Sequence, residues 1–219
     1  MKEIWEHLTN LVDPQTIISK GGIYLIFFIV FAETGLFFGF FLPGDYLLFL
    51  AGIFCATGLL DVSIYQLLAT LFLAGVLGNY VGYWFGYSTG SVIFNRNDSV
   101  FFKKKYVFMA EDFFKKYGGM ALVFGRFFPI IRTFAPIFAG VAKVKFKKFT
   151  LYNLLGSLLW VLLLTLVGFF LGKEFPGIIH YMPYIIVILI AFTATPIVVA
   201  YFKSAKNISK QNDLQKLKN

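Results

Sequence analysis

Apolar residues run along the chain in long tracts separated by short polar or basic breaks. Residues 22–58 form the first tract, interrupted by Leu42-Pro43-Gly44-Asp45. At ~1.5 Å rise per residue it is too long for one bilayer crossing. A proline-glycine pair is strong turn punctuation, so the tract is expected to fold back on itself. Residues 64–93 read as a spanning helix, with Gly78, Gly82, Gly86 and Gly90 four apart in one small-residue stripe. Such a stripe lets another helix approach closely. After a polar, basic stretch at 94–117 comes 118–142, apolar but carrying Arg126, Arg132, Pro129 and Pro136. Residues 149–172 and 178–202 read as two further spanning helices. Before all of these, Ile4, Trp5, Leu8, Leu11 and Val12 recur at helical spacing until Asp13-Pro14, the pattern of an amphipathic helix lying at a membrane interface.

Charge orients these tracts. Positive residues in short loops stay on the cytoplasmic side. The basic loop 94–117, the cluster Lys143, Lys145, Lys147 and Lys148, and the tail from Lys203 all carry them. The N-terminal segment and the turns 58–63 and 173–177 are poor in Lys and Arg. Residues 118–142 therefore leave and return on the cytoplasmic side. They are too few for two crossings of roughly 20 residues each, so the segment is expected to be re-entrant. The same reasoning has 22–58 enter and leave from the outer side.

The two hairpins resemble each other. Phe38-Gly39-Phe40-Phe41-Leu42-Pro43 followed by Ala51-Gly52 is matched by Phe124-Gly125-Arg126-Phe127-Phe128-Pro129 followed by Ala139-Gly140. Each hairpin precedes one spanning helix, and the two units start on opposite sides. That is an inverted repeat, the architecture of many secondary transporters. The fold class expected is all-α integral membrane: re-entrant hairpin plus transmembrane helix, twice, with an added C-terminal transmembrane helix and the N-terminal amphipathic helix. The corresponding divisions are 1–20, 21–175, 176–203 and a basic cytoplasmic tail at 204–219. The hairpin breaks are Pro43, Gly44, Pro129 and Pro136.

Composition agrees. The chain has 219 residues, of which 58% are hydrophobic and 29 are Phe, far more apolar than soluble domains. The net charge of +9 follows from positive-inside loops, so no nucleic-acid partner is implied. One cysteine, Cys55, excludes an internal disulfide and a cysteine-based metal site.

Only four charged side chains fall at membrane depth: Glu33, Asp45, Arg126 and Arg132. An arginine at the bilayer centre costs roughly 2.5–3.5 kcal/mol even on lenient scales, and intramembrane charges mark functional sites by default. Arginine offers a rigid fork suited to phosphate, and broken helices expose N-termini that favour anions. Removing a carboxyl from water favours its neutral form, which suits a proton carrier. The competing reading is that Glu33 and Asp45 only neutralise the arginines. Asn79 and Thr133 are further polar residues placed to line the same cavity. His7 and His180 lie outside the hairpins and read as interfacial.

The residues Glu33, Pro43-Gly44-Asp45, Gly125-Arg126-Phe127 with Pro129, Arg132-Thr133, Pro136, Ala139-Gly140 and the stretch from Asn153 to Trp160 resemble the DedA family, also called the SNARE-associated or VTT-domain family. The resemblance covers residues 20 to 175, and it departs at Asn79, where many relatives carry Asp after the Gly. It implies a bacterial inner-membrane protein; the charge pattern puts the C-terminus in the cytoplasm and the N-terminal helix on the outer face. The resemblance implies recycling of undecaprenyl phosphate from the outer to the inner leaflet; eukaryotic relatives act as lipid scramblases. Envelope integrity and maintenance of the proton-motive force are linked to the family. Its functional residues map to Arg126 and Arg132 for the phosphate and to Glu33 and Asp45 for proton coupling. The implied partners are a polyprenyl phosphate or other anionic lipid, and protons or sodium. No cofactor, metal or enzymatic reaction is expected: no Gly-x-Ser-x-Gly elbow is present, and no histidine lies near the arginines. Two other readings remain, a proton-coupled carrier of a small solute and a non-transporting envelope scaffold.

Overall fold

A computed structural model describes residues 14–36, 44–95, 112, 114–181 and 184, and all regular structure among them is helical. The expected interfacial helix before Pro14, Pro43, most of the basic loop 94–117, the C-terminal spanning helix beyond its first residues, and the basic tail lie outside the described residues. The chain divides into two units, Met1–Gly177 and Ile178–Asn219. The second is described only at 178–181, within a 3₁₀ turn at Pro176–Tyr181, and at 184.

The first unit contains α1 (Pro14–Gly35), α2 (Gly44–Ala56), α3 (Ile64–Asn95), α4 (Met120–Phe124), a 3₁₀ turn at Gly125–Phe127, α5 (Pro129–Val141) and α6 (Phe146–Glu174). Two of these helices, over Ile64–Gly90 and Phe146–Glu174, are long and apolar enough to cross a membrane. α6 starts three residues before the expected span and runs through Lys173 and Glu174, which were expected in a turn. The apolar 3.6-residue pattern gives no signal where a helix leaves the bilayer, so flanking basic residues are absorbed into its ends. α1 bends at Gly22, whose φ of 54° and ψ of −154° are open chiefly to glycine. The bend coincides with the expected start of the membrane domain.

The direction of each helix follows from its contacts. α3 and α6 are antiparallel: Tyr83 stacks on Phe149 at 4.4 Å, while further back Asn79 bonds Asn153 and Gly75 faces Ser157 and Trp160. α2 runs parallel to α6, because Phe49 meets Gly168 and Ile53 meets Gly172. α5 runs parallel to α3, because Ile137 meets Gly86 and Val141 meets Gly90. α1 also runs parallel to α3, with Phe31 at Gly78 and Gly35 at Gly82. The chain thus reverses between α1 and α2, and again between α4 and α5. Those two reversals open toward opposite ends of the α3–α6 pair.

The internal repeat reappears as matched close approaches. A Cβ on Gly52 would strike the backbone of Thr165 in α6, and one on Gly140 would strike that of Tyr83 in α3. Gly168 and Gly86 answer from the long helices, against the backbones of Phe49 and Ile137. Added Cβ atoms on Gly172 and Gly90 would lie 3.0 Å from the Cα atoms of Ile53 and Val141. Each Ala-Gly pair therefore docks its hairpin on the long helix of the other repeat. The Gly78–Gly90 stripe is a packing surface for α1 and α5, as its spacing predicts.

One expected break is absent. α5 continues through Pro136. The proline removes the donor that would reach the Arg132 carbonyl. The bonds on either side persist, Arg132 N–H to Phe128 at 2.9 Å and Ala142 N–H to Phe138 at 2.9 Å. The buried ring also packs over Gly82 of α3. The actual break lies at Phe128, extended at φ −113° and ψ 114°. Pro129 disfavours a helical residue before it and opens α5 at its first position. Gly44 likewise stands at the start of α2.

Candidate functional site

The reversal geometry brings the four charges expected at membrane depth to one place. α1 ends two residues beyond Glu33, and α2 begins one residue before Asp45. Arg126 sits in the 3₁₀ turn and Arg132 in the first turn of α5. Arg132 is 3% exposed and forks between the hairpins: Nη2 donates to Glu33 Oε1 and Nη1 to Asp45 Oδ1. A guanidinium can hold two carboxylates in this way because its donors are fixed in one plane. The Glu33 carboxyl lies so close to Gly44 that any Cβ there would overlap it. Glycine at that position is therefore a steric requirement. Asp45 is the open corner of the cluster, with 27% of its side chain exposed.

Arg126 has a different environment. It is 2% exposed, and Nη2 donates to Asn153 Oδ1 at 2.7 Å. No carboxylate among the described residues pairs with it, and its Nε and Nη1 have no hydrogen-bond partner there. The four charges are thus unequally matched: both acids share Arg132, while Arg126 faces a neutral amide. Trp160 stands beside both cations, its ring centroid 5.0 Å from the Arg132 guanidinium carbon and 5.7 Å from that of Arg126. Its Nε1 donates to Asp45 Oδ1 at 2.8 Å. The negative face of an indole favours a nearby cation.

Asn153 is the hub of the second half of the site. Its Oδ1 also accepts from Asn79 Nδ2 at 2.7 Å, and its Nδ2 donates to the Val76 carbonyl at 3.2 Å. Ser157 Oγ donates to the Asn153 carbonyl at 2.7 Å. Asn79, expected at a cavity wall, is instead buried in this network. Thr133 is buried next to Arg132. The place of Asn153, Ser157 and Trp160 in this network is not evident from residue type alone. Their spacing of i, i+4 and i+7 places them on one face of an otherwise apolar helix, and that stripe is the signal that points to them.

Two carboxylates from one hairpin and two guanidiniums from the other meet where two chain reversals approach each other.

The VTT domain matches residues 42–170. The chain is 37% identical to Protein DedA of Escherichia coli over 76% of its own length and 74% of that protein's. It is 35% identical to the uncharacterized membrane protein Rv0364 of Mycobacterium tuberculosis, over 85% of this chain and 84% of the other. Identity to the inner membrane protein YqjA of Escherichia coli is 34%, covering 79% and 77% of the two chains. No solved structure matches. The chain belongs to the DedA family of VTT-domain membrane proteins.

Proposed function

We propose that this protein is a lipid transporter of the bacterial inner membrane, returning undecaprenyl phosphate from the outer to the inner leaflet together with protons. The observation that carries this reading is the buried cluster of Glu33, Asp45, Arg126 and Arg132 where the two reversals meet. A phosphate head needs cationic donors away from water, and Arg126 and Arg132 are such donors. Moving that head also needs a way to release it. Carboxylates reaching Arg132 from the opposite hairpin place negative charge beside the anion's site and supply that release. In this reading both hairpins re-enter the bilayer, 22–58 from outside and 118–142 from the cytoplasm, and the site lies near the midplane. Similarity to the inner membrane protein YqjA supports the inner-membrane location.

The direct test is leaflet-resolved transport of a labelled polyprenyl phosphate in liposomes containing only this protein. Movement well above protein-free liposomes is expected, faster with an imposed proton gradient. Wild-type protein that moves no polyprenyl phosphate would remove the lipid-transport reading. Uptake of a soluble anion instead would favour a solute carrier.

Topology is tested by cysteine labelling after Cys55 is replaced. The exposed positions Asp61, Lys116 and Lys147 suit single cysteines, whereas Gly119 does not, because a Cβ there would overlap the Tyr152 ring. Label at position 61 is expected only from outside, and at 116 and 147 only after the cytoplasmic face is opened. Labelling of 116 and 147 from opposite sides would exclude a cytoplasmic hairpin.

A further inference from the structure

We propose that the site is a single-arginine anion subsite: Arg126 alone receives the phosphate, and Asn153 is the positioning residue that holds it ready. This rests on the transport reading above and divides the roles of the two arginines. Arg132 has both terminal nitrogens engaged, one with Glu33 and one with Asp45. While those pairs persist its charge is balanced by two acids, and only its Nε lacks an acceptor among the described residues. Arg126 is as deeply buried but lacks an acidic partner, and two of its nitrogens lack any acceptor among the described residues. A buried cationic donor left unmatched is costly to the fold, so its persistence calls for a ligand that completes it.

The surroundings of those nitrogens are glycine backbone. Two long helices present glycines to them. A Cβ on Gly75 would lie 3.5 Å from Nη1, and one on Gly156 would lie 3.2 Å from Nε. Both helices therefore offer bare backbone there, and no acceptor side chain competes with a ligand. Asn153 fixes the third nitrogen, and Asn79 and the Val76 carbonyl fix Asn153 in turn. A neutral amide orients the guanidinium without neutralising it. A carboxylate in the same place would orient it equally well and would also occupy it.

That distinction supplies the test. Asn153→Asp puts a carboxylate where Asn153 Oδ1 now accepts from Arg126. The purified full chain in nanodiscs is titrated with farnesyl phosphate and, separately, with inorganic phosphate. The wild type is expected to bind farnesyl phosphate. N153D is expected to bind it at least tenfold more weakly while its thermal midpoint rises, because the new carboxylate pairs with Arg126. A merely structural asparagine would not separate binding from stability in this way. Arg126→Gln removes an unmatched buried charge, so it should fold at least as well as the wild type and still lose binding with Arg132 intact. Binding of inorganic phosphate with the same dependence on Arg126 supports recognition of the phosphate group itself. Binding of farnesyl phosphate alone supports a lipid ligand at the same cation. R126Q or folded N153D binding farnesyl phosphate like the wild type overturns the single-arginine subsite and leaves the transport reading standing. Wild-type protein that binds neither probe overturns both.

Discussion

Arg132→Gln is expected to destabilise the protein by about 3–5 kcal/mol, the usual consequence of removing one partner from a buried ion pair. The effect should be at the upper end, because Arg132 bonds two carboxylates from two different helices. Glutamine cannot balance them, and Glu33 and Asp45 would then repel each other where water does not screen them. The contact is also the charged bridge between the two hairpins, so its loss loosens the meeting of α1, α2 and α5. Arg132→Lys should fall between, since one ammonium keeps the charge but cannot fork to both acids in one plane. Unfolding in mixed micelles measures this. The diagnostic outcome is rescue: Glu33→Gln added to Arg132→Gln should restore part of the loss by removing one unmatched charge. No rescue would mean that the pairing contributes little and that packing alone holds the hairpins together.

Much of this was legible in the sequence. Two apolar tracts with internal breaks and matching charge at both flanks gave two reversals opening to opposite ends, and the helix directions agree. The four charges stood out because membrane-depth ionisable residues are rare. The Gly78–Gly90 stripe declared itself as a packing face by spacing alone. The partition of the charges was not legible. Nothing in a linear pattern says that Arg132 takes both acids while Arg126 takes none, since those contacts join residues 87 and 99 positions apart. Asn153 was equally hidden, because a lone amide in an apolar helix shows its purpose only when its partner Asn79, 74 residues away, is in place. Pro136 was misread because proline breaks a helix only when nothing compensates. Here burial against a glycine face holds the turn together.

The coupling between lipid and proton gives the last expected result: the double variant Glu33→Gln, Asp45→Asn should bind polyprenyl phosphate at least as well as the wild type, yet transport it at a rate indifferent to a proton gradient. The argument is one of charge. With both carboxylates ionised, the two acids and two arginines sum to zero, although the pairing is uneven. A phosphate at Arg126 adds at least one negative charge to a site removed from water, and one proton taken up by Glu33 or Asp45 cancels it. Asp45, the partly exposed corner, is where the proton would enter. Deprotonation at the other side returns the uncancelled negative charge to the site and expels the phosphate. The sign is therefore fixed: acid on the outer side and base inside should speed return of the lipid. A one-unit gradient should change the rate by up to about tenfold for a single-proton step, since one pK unit corresponds to a tenfold change in protonated fraction. In the double variant the neutral amides mimic the protonated acids permanently, so binding survives and the gradient loses its handle. Liposomes with clamped internal and external pH read both quantities. Transport by the double variant that still accelerates with the gradient would place the proton site elsewhere, and would reduce Glu33 and Asp45 to the structural partners of Arg132.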